Sequence, residues 1–276
     1  MTDGALALIA RRRRDRLIMQ LILAVMAVAF LFPLYSAVTE ALRGGGLSNF
    51  TSLFTRPLGG IAIWKTYINS LIVGALHASV VVSVSTMAGY AFSKLQFAGR
   101  NAFYYGSILF LAIPGTAILV PLYYVTHQAH LFNNYAGVAL PEAALTIPFG
   151  VLLMRNFGDN VPDALIEAAI VDQADHWQIF TKVFLPIAKP AVVNLTVLCF
   201  MWSLQDFLWP VIFFSDPQKT TAAQAVQSFH ATLTESPLDA ARYDASLVVL
   251  AVPAVLLVIF GLRFITGGLT GGAVKD

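Results

Sequence analysis

The 276 residues are 58% hydrophobic and 12% charged, against about 45–50% and about 25% in soluble domains. That excludes an ordinary water-soluble globule and makes lipid the solvent for most of the surface. A formal net charge of +2 gives no basis for nucleic-acid binding, and the lone Cys199 excludes an internal disulfide or a multi-cysteine metal site.

A helix needs about 20 apolar residues to cross a hydrocarbon core ~30 Å thick, because lipid offers no partner to free backbone groups. Residues 1–16 form a basic N-terminus that carries Arg11, Arg12, Arg13, Arg14 and Arg16. The apolar run at 17–38 is too long for a signal-peptide core and no small-residue cleavage site follows it, so it reads as a retained span. Gly44-Gly45-Gly46 marks a flexible turn. Further spans are predicted at 68–92, 102–123, 135–154, 191–214 and 245–265. The fourth is the weakest because it carries Pro141, Glu142 and Pro148, and Gly267-Gly268 reads as a helix stop after the last.

The expectation is an all-α polytopic membrane protein with about six transmembrane helices, 17–276 forming one permease-like domain. With the N-terminus inside, twelve Lys and Arg fall on the cytoplasmic side and five outside, which accounts for all 17. Basic loops stay in the cytoplasm. Both termini are therefore expected there, with 39–67 and 215–244 outside and 155–190 as the long cytoplasmic connection.

That connection should be helical. Asn160 is a candidate cap, Pro162 suits a first turn, and Asp163 and Glu167 sit where the positive end of a helix dipole favours acids. After a break near Gln173, Trp177, Phe180 and Phe184 recur at i, i+3 and i+7 to form one apolar face opposite Gln178 and Lys182, and Pro186 is expected to end the helix.

The same stretch contains Glu167-Ala168-Ala169, then Asp172-Gln173, then Leu185-Pro186. It resembles the EAA loop of ATP-binding-cassette (ABC) importer permeases, with Gln173 where that family has glycine. Ala88-Gly89-Tyr90-Ala91-Phe92-Ser93-Lys94-Leu95 with Gly99-Arg100, Trp202-Ser203-Leu204-Gln205-Asp206-Phe207-Leu208-Trp209-Pro210, and the tail from Gly268 to Lys275 resemble three segments of the maltose-type carbohydrate branch. The resemblance implies a type I importer fold in a prokaryotic plasma membrane. It also implies a coupling role for Glu167, Ala168, Ala169, Asp172, Gln173, Trp177, Phe180, Leu185 and Pro186. The implied partners are a homologous second permease, two ATPase subunits that bind and hydrolyse ATP, and an extracytoplasmic solute-binding protein. The implied solute is a sugar.

No G-x-x-x-x-G-K-[ST] phosphate loop is present, and the five histidines make no metal-ligand spacing. Neither catalysis nor a cofactor bound by this chain is expected, and energy must come from a partner. A secondary transporter or channel is the alternative, with Glu142 as its intramembrane ionisable group. For a solute path the candidates are Glu142, Gln205, Asp206 and Trp209. A sugar needs hydrogen bonds for its hydroxyls and aromatic rings for its C–H faces; an interfacial aromatic belt with a helix-capping acid explains the last three equally well.

Overall fold

The structure, a computed structural model, describes residues 13–57, 60–231 and 237–271. Residues 1–12 and the end of the tail, 272–276, lie outside them. The described residues are helical with no strand among them. They divide into two compact units, 13–53 with 237–249 and 54–231 with 250–271.

In the first unit α1 (Arg13–Ala41) is followed by α2 (Leu47–Thr55). The turn between them needs left-handed backbone at Gly44 (φ +73°) and Gly46 (φ +56°), where glycine avoids a Cβ clash. Buried Asn49 donates from Nδ2 to the carbonyls of Ala41 and Arg43 and so closes the end of α1.

The second unit is built on α3 (Ile63–Lys94). After it come α4 (Arg100–Leu109), α5 (Leu119–Gln128), α6 (Tyr135–Asp159), α7 (Asp163–Val171), α8 (His176–Gln205), α9 (Leu208–Phe213) and α10 (Ala222–Ala231). The last helix, α11 (Pro237–Gly271), contributes residues to both units. Among the described residues five helices are long and apolar enough to cross a membrane, and six spans result if the segments Arg100–Ala112 and Gly115–Gln128 count as one.

Those two segments correct the third predicted span. They meet at 96°, because Pro114 has no N–H to continue a helix and pushes Ile113 to an extended ψ of 117°. The fourth span, expected to be weakest, is instead the unbroken α6. Its two prolines are buried, Thr146 donates within the helix to Glu142 O at 2.8 Å, and Ser85 of α3 donates to Ile147 O at 3.3 Å.

Small residues explain how closely α6 packs on α3. A Cβ added at Gly150 would meet Ser85 at 2.3 Å, at Gly89 it would meet Met154 at 2.5 Å, and at Gly158 it would meet Ser93 at 2.2 Å. The three contacts step by four residues along both helices, which therefore run parallel with backbones in near contact.

The fifth span is shifted. The helix does not end at Pro186: α8 continues through Pro186 and Pro190 and breaks at Asp206, short of the expected 214. A π-helical turn at Ile179–Phe184 just precedes Pro186, with Leu185 N donating to Phe180 O. Neither is Gly267-Gly268 a stop, since α11 runs to Gly271.

Candidate functional site

Two places gather the residues singled out in the sequence. The first is α7 and the start of α8. Pro162 takes the N-cap position of α7 with ψ 128° and Asp163 follows in the first turn. Asn160 does not cap this helix, because it terminates α6 and its amide donates to Asn156 O. At the other end Gln173 N bonds Ile170 O at 2.9 Å and Ala174 N bonds Ala169 O at 3.0 Å, with Gln173 at φ +61°. This is a Schellman closure, and its left-handed position is the one usually filled by glycine. Asp175 then caps α8 through a capping box with Gln178.

The aromatic face of α8 is divided. Phe180 and Phe184 are buried, with Tyr90 at 5.4 Å and 5.0 Å between ring centres, whereas Trp177 is 64% exposed. Phe180 is thus a core residue. On α7, Glu167, Ala168 and Asp172 are exposed, as is Gln173 beyond it, while Ala169 is half-buried. Leu165, Ile170 and Val171 are exposed as well, Val171 by 80%. Leu185 and Pro186 lie in the helix that leads back into the core, and Pro186 is exposed.

Lys94, the last residue of α3, ties this element down. Its side chain is nearly buried, and Nζ donates to Val161 O at 2.6 Å and to Asp163 Oδ1. Both partners flank Pro162, so the start of α7 is pinned to the end of α3. At its other end α3 holds Asn69, whose Nδ2 donates to Gln218 O and Thr220 O at 2.9 Å, and Ser70, which accepts from Ala222 N.

The second place is a cavity of about 100 Å³ among α3, α6, α8 and α9. Glu142, 5% exposed, accepts from Ser203 Oγ through Oε2 at 2.8 Å, and its Oε1 has no hydrogen-bond partner. His77 places Nδ1 3.1 Å from Cys199 O and Nε2 3.1 Å from Thr146 Oγ1. A carbonyl only accepts, so Nδ1 carries the hydrogen. Asp206 caps α9, with Oδ1 accepting from Leu208 N at 2.7 Å and Trp209 N at 3.4 Å. Glu142, Asp206 and Trp209 line the cavity together with Trp202, while Gln205 is exposed and is not part of the lining.

Residues 82–267 match a protein family described as "Binding-protein-dependent transport system inner membrane component". The chain belongs to this family. An arabinooligosaccharides transport system permease protein of Halalkalibacterium halodurans is 30% identical to this inner membrane component over 91% of the chain and 94% of the relative. The trehalose transport system permease protein of Mycobacterium tuberculosis is 28% identical over 91% and 93%. The fold matches the crystal structure of a bacterial ABC transporter involved in the import of the acidic polysaccharide alginate, with a TM-score of 0.76 and 20% identity over 91% of this chain and 97% of the other.

Several residues of this inner membrane component carry geometry that sequence reasoning did not assign. Tyr90 and Lys94 had entered only through the segment that contains them, because nothing local tells that Lys94 reaches a carbonyl 67 positions away. His77 makes no metal-ligand spacing with the other histidines, yet an ionisable group inside a span is a functional signal by default. Leu165, Ile170 and Val171 could have been found: with buried Ile166, a nine-residue helix has more apolar groups than one stripe holds.

Proposed function

We propose that this chain is one of two permease subunits of an ATP-driven sugar importer, and that α7 is the element on which a cytoplasmic ATPase acts. The observation that carries this reading is the construction of α7: a short helix outside the spans, closed at Gln173, pinned by Lys94 to a spanning helix, and exposing Val171 and Ile170 beside Glu167, with Trp177 exposed at the start of α8. Apolar side chains exposed beside acids in such an element fit a protein partner. Membership of a binding-protein-dependent family and the carbohydrate names of the relatives support the class of solute.

On this reading the chain is not itself an enzyme. ATP is bound and hydrolysed by two ATPase subunits, the second permease completes the path, and an extracytoplasmic binding protein delivers the sugar. The distribution of basic residues, twelve inside against five outside, supports both termini in the cytoplasm, with α7 on the ATPase side. Co-purification tests the assignment. A tag on this chain should bring an ATPase and a second permease from the native membrane, and proteoliposomes of that complex should take up sugar only with ATP inside the ATPase compartment and binding protein on the opposite side. Uptake driven by an ion gradient without ATP would support a secondary transporter instead.

A further inference from the structure

Glu142, Asp206 and His77 belong to, or immediately follow, membrane-spanning helices, and all three converge on one open cavity. Trp202 at its edge is 44% exposed, so the cavity has a mouth. That mouth cannot open to hydrocarbon, where ionisable groups are costly and are found facing a bundle interior or water. It therefore faces the solute path or the subunit across it.

The lining also has a definite hydrogen-bond character. Glu142 and Asp206 bring carboxylates, and no Lys or Arg is among the lining residues. Ser203 already spends its hydrogen on Glu142 Oε2, while Oε1 of this nearly buried side chain has no partner. A donor is missing, and buried polar atoms without partners call for one. The indoles of Trp202 and Trp209 supply apolar surface on the same wall. At about 30 Å³ per water the cavity holds about three waters, enough for two neighbouring hydroxyls but not a whole sugar ring.

We propose that this cavity is a solute subsite on this chain, taking the hydroxyl-bearing edge of an uncharged saccharide with Glu142 as acceptor and the two indoles as its apolar wall. The assignment rests on the sugar-importer reading and adds a charge rule to it: the carboxylate of Asp206, with no Lys or Arg among the lining residues, repels a carboxylated sugar.

Cysteine labelling tests it in the assembled transporter. Trp202→Cys in a Cys199→Ala background is exposed to a cationic trimethylammonium and an anionic sulfonate methanethiosulfonate, with Ser203→Cys as a second reporter should the first fail to assemble. The cationic reagent should react at least tenfold faster, and adding Glu142→Gln with Asp206→Asn should abolish that preference. Maltose or trehalose should slow cationic labelling at least threefold, and digalacturonate should not. A cysteine reached by neither reagent, a charge preference that survives loss of both acids, or labelling that no neutral sugar slows would overturn the subsite. The expected labelling of the cysteine variant together with no ATP-driven sugar uptake by wild-type vesicles would overturn the importer reading instead.

Discussion

At Gln173 the backbone is left-handed, φ +61°, a conformation that costs an L side chain about 1–2 kcal/mol. The Schellman hydrogen bonds at Gln173 and Ala174 keep it there. Gln173→Gly should preserve coupled activity and raise the stability of the loop by up to about 1 kcal/mol, read as slower amide exchange at residues 172–174; loss of transport would assign the amide side chain a role of its own. Trp177 and Phe180, three positions apart, should respond oppositely to truncation. Trp177→Ala removes an exposed ring, so the fold should keep its melting temperature while ATPase affinity falls about thirtyfold, the equivalent of about 2 kcal/mol. Phe180→Ala empties space beside Tyr90 and Phe184 and should destabilise the permease by about 3–5 kcal/mol. Equal loss of stability in both would contradict the division between surface and core.

Helix α3 connects the two candidate places. It carries His77 at the cavity and Lys94 at the start of α7, 17 residues or about 25 Å apart along the axis. Lys94→Met keeps the aliphatic stem but loses hydrogen bonds of about 1.5–3 kcal/mol each. Uptake per ATP should fall in that variant and recover in part with Lys94→Arg; unchanged stoichiometry in Lys94→Met would remove α3 from the transmission path. Close packing of α3 on α6 makes its own prediction. Gly89→Ala drives a methyl into Met154 and should cost about 1–3 kcal/mol, whereas Gly106→Ala, with nothing within 4 Å, should be neutral. Thermal unfolding of the purified complex distinguishes them.

Apolar length alone located each span in the sequence, because lipid imposes that requirement on every span, but it did not show that the fifth runs from His176 to Gln205. Their breaks were harder to read. Pro114 bends one span by 96° while Pro141 and Pro148 leave α6 continuous, and α6 packs along its close neighbour α3, a tertiary fact. Within the site the capping acid Asp206 was legible as a capping acid, and Glu142 as an ionisable group out of place. Gln205 was grouped with them by adjacency, but one step along a helix turns a side chain by about 100°, and it points elsewhere than the cavity.

For the whole molecule, an orientation with both termini cytoplasmic puts α7 inside, so a cysteine at Asp172, an exposed position, should react with an impermeant reagent only from the cytoplasmic face. Reaction in intact cells would reverse the topology. The central claim, that α7 passes ATPase movement to the spanning helices, is tested most directly by sugar taken up per ATP hydrolysed in proteoliposomes holding both permeases, the ATPase and the binding protein. Glu167→Ala and Trp177→Ala should each lower that ratio or release the ATPase while the membrane domain stays folded. Wild-type assembly, stoichiometry and rate in both variants would contradict the account.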